Sequence, residues 1–109
     1  MTRKRAIRVT DGSGDVFADL GFPNPQREAL KASLTLQLYR IIKERGLTQT
    51  QAAELLGIRQ PNVSSLMRGQ SGVFSVERLM DFLTALGQDV EITVRPTRHE
   101  QGHVSLVIG

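Results

Sequence analysis

Residues 57–68, GIRQPNVSSLMR, carry the side chains best suited to chemistry in this chain. Their polar groups are short and form hydrogen bonds, whereas a solvated helix face more often favours Glu and Lys. Gln and Asn amides can pair with adenine edges in the major groove of DNA, a proline ring can contact a thymine methyl group, and arginine can hold phosphate or guanine. The residues with this chemistry are Arg59, Gln60, Pro61, Asn62, Ser64, Ser65 and Arg68. The stretch therefore predicts a surface that reads base pairs.

A competing pattern is HEQGH at residues 99–103. It matches the H-E-x-x-H arrangement, in which two histidines one helical turn apart bind zinc and the glutamate activates water. Gly102 weakens a helix, the following residues are typical of a strand, and no third histidine exists in the chain. We expect His99 and His103 to be solvated turn residues, and we predict no catalytic residue, metal or cofactor. A zinc hydrolase is the remote alternative.

Composition narrows the class of protein. A length of 109 residues suits one domain, and the absence of cysteine excludes disulfides and cysteine–zinc sites. The net charge of +3 is a mild indication of an anionic partner. No signal peptide or run of about 18 apolar residues is present, so we expect a soluble cytoplasmic protein without a membrane partner.

Local start and stop signals predict the first two helices. An Asn-Pro pair and a glycine bound the first, over residues 25–45. The second begins after Thr48, whose hydroxyl can cap the N–H of Gln51 while the Gln51 side chain reaches back. Gly57 ends it after about two turns.

Two more helices follow. The third begins close to Arg59 or Gln60, where a proline in the first turn is harmless, and it is closed by Gly69. The fourth has Ser75 as its N-cap and ends at Gly87.

The C-terminal region changes to a two-residue period. Alternating apolar residues predict a strand in DVEITVR, namely Val90, Ile92 and Val94. A second strand is predicted in HVSLVIG at residues 103–109. The first strand could pair with the second in the same chain, or with its counterpart in another subunit.

The second and third helices have the layout of a DNA-binding helix-turn-helix. Ala53 is small where the two helices cross, and Gly57 permits the tight turn between them. Gln49 and the free N–H groups at the start of the second helix suit a phosphate oxygen. The alternative is a small helical domain whose polar face is simply solvated. We favour DNA binding, because the caps, the small residue and the turn glycine agree in one register.

The segment LTQTQAAELLGIRQPNVSSLMRGQSGVFSVERLMDFLTALG resembles the helix-turn-helix of the lambda-repressor-like (XRE) family. With DVFADLGF before it and DVEITVRP after it, residues 13–96 most resemble the HigA-like antitoxin branch. The resemblance implies a mainly α fold, a bundle of about four helices followed by a C-terminal β-strand or hairpin. It also implies a dimeric operator-binding repressor, often encoded beside a RelE/HigB-like ribonuclease toxin that it neutralises.

The family's DNA-contacting positions correspond to eight residues of this chain. They are Gln49, Arg59, Gln60, Pro61, Asn62, Ser64, Ser65 and Arg68. Arg59 departs from the pattern, since the family usually has Ser or Thr as the cap of this helix. The resemblance also favours dimerisation through Val90, Ile92 and Val94.

We therefore predict three segments. Residues 1–14 form a basic flexible arm, residues 15–95 form a helix-turn-helix domain with a C-terminal dimerisation strand, and residues 96–109 form a polar loop with a possible second strand. The predicted function is a transcriptional repressor that binds double-stranded DNA as a homodimer on a palindromic operator. The alternative is a protein-interaction module whose main role is toxin neutralisation.

Overall fold

The computed structural model describes residues 25–70 and 72–109. Over these residues it contains four α-helices: α1 Pro25–Glu44, α2 Gln49–Leu56, α3 Gln60–Met67 and α4 Val76–Ala85. The mainly helical prediction is confirmed, and each helix lies where its start and stop signals placed it. The predicted basic arm over residues 1–14 lies outside the described residues.

The helix α1 contributes an apolar stripe to the core. Leu34, Leu38 and Ile42 recur at spacings of four residues and are almost fully buried, which is the period expected for one helix face.

Among the helices of the described residues, none combines the length and apolarity that crossing a membrane requires.

The boundaries of α2 come from local hydrogen bonds. The Thr48 hydroxyl accepts from the backbone N–H of Gln51 at 3.0 Å, and the Thr48 backbone N–H donates to Oε1 of Gln51 at 2.9 Å. This is the predicted capping box, and it satisfies two N–H groups that the helix leaves without partners. Gly57 closes α2 with a φ of +71°, in the left-handed region that glycine adopts without strain.

The helix α4 completes the core of residues 31–90, which form one compact unit. The Ser75 hydroxyl accepts from the Arg78 backbone N–H at 3.1 Å, as its N-cap role predicts. The ring of Phe82 is buried and meets Phe74 edge-on, with centroids 5.0 Å apart. A hydrogen bond of 3.1 Å from Nη1 of Arg45 to the Leu86 carbonyl links the residue after α1 to the end of α4.

The predicted C-terminal strands are absent from the structure, and that prediction was wrong. Residues 88–109 have no strand among the described residues, and Ile92 and Val94 are 52% and 55% exposed. Alternating β-branched residues favour a pleated surface but cannot supply the neighbouring strand that a ladder requires. The backbone N–H of Val104 instead donates to the side-chain Oε1 of Gln26 at 2.6 Å.

Candidate nucleic-acid interface

The turn between α2 and α3 is fixed by backbone hydrogen bonds to one residue. The carbonyl of Ala53 accepts from the N–H of Gly57 at 2.9 Å and from that of Ile58 at 3.1 Å. Ala53 is buried, as its small size at a helix crossing predicts. The helix α2 therefore ends at Leu56, and α3 begins four residues later, at Gln60.

Two apolar residues anchor α3 to the core. Val63 and Leu66 are fully buried, and α3 packs against α2. Because they lie three residues apart, they define a single buried side of this helix. The remaining side is turned outward and carries the polar residues that the sequence singled out.

The start of α3 has the predicted proline in its first turn and an arginine at its N-cap position. Pro61 lies in the first turn, where its missing N–H leaves no hydrogen bond unmade. Arg59 occupies the N-cap position with an extended backbone, but its side chain makes no capping hydrogen bond. A guanidinium has donors only and cannot accept from the helix N–H groups, so the departure from a Ser or Thr cap leaves α3 without a side-chain cap.

The predicted site residues differ in exposure. Arg59, Gln60, Pro61 and Arg68 are exposed, whereas the others are half-buried: Gln49, Asn62, Ser64 and Ser65. All eight belong to α2, to α3 or to the residues that flank α3. Every one of them thus has surface that a ligand can reach.

A hydrogen bond between two amides joins the starts of α2 and α3. Nε2 of Gln60 donates to Oε1 of Gln49. This bond uses one N–H of Gln60 and leaves its second N–H and its carbonyl oxygen free, which is the pair of groups that adenine N7 and N6 require. The contact between these two residues was not predicted, because the sequence places them eleven positions apart.

Two further hydrogen bonds lie along α3. Nη1 of Arg68 donates to the Ser64 hydroxyl at 2.6 Å, and the Ser65 hydroxyl donates to the Pro61 carbonyl at 3.3 Å. Each joins residues four positions apart, which face the same side of a helix. The first bond holds a cationic side chain along the outward surface of α3.

The first turns of α2 and α3 differ from those of α1 and α4 in their acidic residues. The first turns of α2 and α3 contain no acidic residue, whereas α1 and α4 have Glu28 and Glu77 there. Acidic residues usually favour a helix start because the macrodipole is positive at that end. Their absence from α2 and α3 leaves both positive ends available to an external anion.

The residues predicted for dimerisation and the two histidines of the zinc pattern follow α4 in the sequence. Val90 is half-buried, while Ile92 and Val94 are exposed. His99 and His103 are exposed and belong to a segment without helix, whereas the zinc pattern needs both histidines on one helix. The described residues contain no group of three or more His, Cys, Asp or Glu that could hold a metal ion.

Comparisons with known proteins agree with this geometry. A family model described as "Helix-turn-helix domain" matches residues 16–95. The chain is 47% identical over 49 residues to "Putative antitoxin HigA2" of Mycobacterium tuberculosis, and the match covers 45% of this chain and 48% of that protein. The chain thus matches about half the length of this relative. A solved structure titled "Putative XRE Family Transcriptional Regulator" superimposes with a TM-score of 0.75 at 39% identity, and the match covers 80% of this chain and 100% of that chain.

Proposed function

Because the chain belongs to the XRE-type helix-turn-helix family, near the HigA-like antitoxins, we propose that it is a sequence-specific DNA-binding transcriptional repressor. The observation that carries this proposal is the outward face of α3. Its polar residues are accessible, its buried side is fixed by Val63 and Leu66, and the amide of Gln60 is oriented by Gln49.

In this proposal α3 lies in the major groove with its N-terminal residues at the base edges. Gln60 pairs with an adenine through the amide groups that Gln49 leaves free. Pro61 supplies an apolar contact for a thymine methyl group, and Asn62 and Ser65 add hydrogen bonds to neighbouring bases. Orientation by Gln49 reduces the conformational freedom that Gln60 loses on binding.

Phosphate contacts flank the base-reading residues. Arg59 is exposed at the start of α3, and Gln49 lies at the start of α2, whose first turn has no acidic residue. Backbone N–H groups at both helix starts can donate to phosphate oxygens. Each phosphate neutralised by an arginine makes binding more sensitive to salt.

We propose that the chain binds its operator as a homodimer. A dimer with twofold symmetry reads a palindrome whose half-sites are about 10 base pairs apart. Support comes from the segment after α4, where Ile92 and Val94 expose β-branched side chains that a second subunit can cover. We assign Val90, Ile92 and Val94 to this contact.

Binding to DNA from the gene's own upstream region tests the proposal. Fluorescence anisotropy would compare a labelled upstream duplex with a scrambled duplex of the same composition over a series of salt concentrations. We expect selective binding, and we expect Gln60→Ala to remove about 1–3 kcal/mol of discrimination at one base position. Gln88→Ala is the matched control, since Gln88 is exposed beyond α4. Equal, salt-sensitive binding to both duplexes would contradict sequence-specific reading.

A second candidate function is neutralisation of a RelE/HigB-like toxin. It is favoured by the likeness to a protein named as an antitoxin. Co-expression with a neighbouring toxin-like reading frame tests it: the antitoxin role predicts a stable complex and rescued growth. If growth is not rescued although both proteins are produced, the antitoxin role is wrong for that pair.

A further inference from the structure

The hydrogen bond between Arg68 and Ser64 gives Arg68 a more specific role than a phosphate contact. Nη1 of Arg68 donates to the Ser64 hydroxyl at 2.6 Å. We infer that Ser64 is a positioning residue that holds Arg68 over the groove-facing side of α3, so that Arg68 reads the edge of a guanine. This inference rests on the proposed function, since it concerns the DNA-binding surface of α3.

The position of the Arg68–Ser64 hydrogen bond along α3 indicates how far the guanine lies from the adenine read by Gln60. Ser64 lies one turn beyond Gln60 on the same side of α3, and Arg68 lies a further turn on. A rise of 1.5 Å per residue separates Gln60 and Ser64 by about 6 Å along the axis. Because Arg68 folds back to Ser64, its guanidinium lies near the level of Ser64. Base pairs are stacked about 3.4 Å apart along the duplex axis, so the guanine is expected within about two base pairs of the adenine read by Gln60.

The chemistry of the guanidinium suits this task. The bond to Ser64 uses a single N–H of Nη1, while Nη2 and Nε retain their donors. These donors can form the bidentate pair with O6 and N7 of guanine, the commonest specific contact of arginine with a base. The residues of α3 include no Asp or Glu, so this helix offers the guanidinium no carboxylate in place of the base.

A comparison of the two arginines that flank α3 sharpens the assignment. Arg59 is exposed at the start of α3, beside backbone N–H groups that have no side-chain cap, and this position suits a phosphate. Arg68 is held along α3 by a hydroxyl, and that restraint favours a contact with one defined geometry. We therefore assign Arg68 to base reading and Arg59 to the phosphate backbone.

Selection from a randomised duplex library tests this assignment. The full chain and its variants Arg68→Ala, Arg68→Lys, Ser64→Ala and Ser64→Thr would each select their preferred sites. We expect wild type to prefer guanine within about two base pairs of the Gln60-dependent adenine, by about 5- to 150-fold. Arg68→Lys keeps the charge but loses the planar fork, so this preference should fall, although less than in Arg68→Ala, because an ammonium group can still donate to O6 and N7. Ser64→Ala should weaken the same position alone, and Ser64→Thr should restore it.

Salt dependence supplies the second readout, with Arg59→Ala as the charge-matched control. Arg59→Ala should weaken all sequences alike and lower the salt slope by about one. Arg68→Lys should leave the slope unchanged and weaken only the guanine preference. Uniform weakening by Arg68→Ala with a lower slope would mean a phosphate contact and would overturn the inference.

Two other results would also overturn it. Ser64→Ala with an unchanged selected motif would show that Ser64 does not position Arg68, and a lowered melting temperature with the motif unchanged would assign the bond to helix stability. Failure of wild type to select any motif would refute the proposed function itself. A wild-type motif that keeps the Gln60-dependent adenine but lacks the guanine would refute only this inference.

Discussion

Replacement of Gly57 by alanine is expected to leave the domain about 1–2 kcal/mol less stable than the same replacement at Gly72. The φ of Gly57 is +71°, and a Cβ built at this position would meet no atom within 4 Å. Steric contact with neighbours therefore adds nothing, and the whole cost comes from forcing an L-residue into the left-handed region. The magnitude is thus set by the backbone alone.

Urea unfolding followed by far-ultraviolet circular dichroism measures this loss. For a domain of about 100 residues, 1 kcal/mol also lowers the melting temperature by about 4–8 °C. Gly72→Ala is the matched control, because a Cβ there also meets open space but its φ is outside the left-handed region. Alanine at 72 should leave the free energy of unfolding unchanged or raise it by about 0.4–1 kcal/mol. Gly57→Asn should be intermediate, since Asn tolerates positive φ better than Ala.

Equal unfolding free energies for Gly57→Ala and Gly72→Ala would refute the reasoning. That result would mean that the turn between α2 and α3 is not left-handed in solution. The direction in which α3 leaves α2 would then differ from the structure, and the assignment of its outward face would be lost with it.

Three further predictions concern the cap of α2, the core and the proposed homodimer. Thr48→Ala removes the capping hydroxyl of α2 and should cost about 1 kcal/mol by urea unfolding; a change below a few tenths would contradict the capping box. Phe82→Ala removes a ring that is 1% exposed and should cost about 3–5 kcal/mol by thermal melting, whereas Val73→Ala, at 69% exposure, should cost almost nothing. For the proposed homodimer, Val94→Asp should raise the dissociation constant about tenfold or more in analytical ultracentrifugation, because it would bury an unpaired charge, while Thr93→Asp serves as the charge-matched control; an unchanged constant would remove Val94 from the proposed contact.

The features that could be predicted from the sequence are those set by neighbours in the chain. The caps at Thr48 and Ser75 and the turn at Gly57 depend on residues within about four positions, and the structure contains each of them. Val63 and Leu66 are both buried, and their spacing of three residues is the local pattern that places two side chains on one helix face. Local chemistry thus placed α2, α3 and α4 without reference to the rest of the chain.

The features that could not be predicted depend on distant partners. The strand expected around Ile92 needed a neighbouring strand, and an alternating pattern carries no information about whether one is present. The bond between Gln49 and Gln60 depends on the angle at which α2 meets α3. By contrast, the bond between Arg68 and Ser64 could have been predicted from the sequence, since polar side chains four positions apart meet on a helix.

The division of α3 into buried and outward residues has a consequence for how such regulators diverge. Substitutions at exposed positions away from caps and cores usually change stability by less than about 0.5 kcal/mol. Gln60 and Pro61 are exposed, whereas Val63 and Leu66 are fully buried. Under the proposed function, one copy can therefore exchange its outward residues after a gene duplication and acquire a new DNA site while its fold is preserved. The two copies can then control separate genes without cross-talk, and selection needs to act on only a few codons.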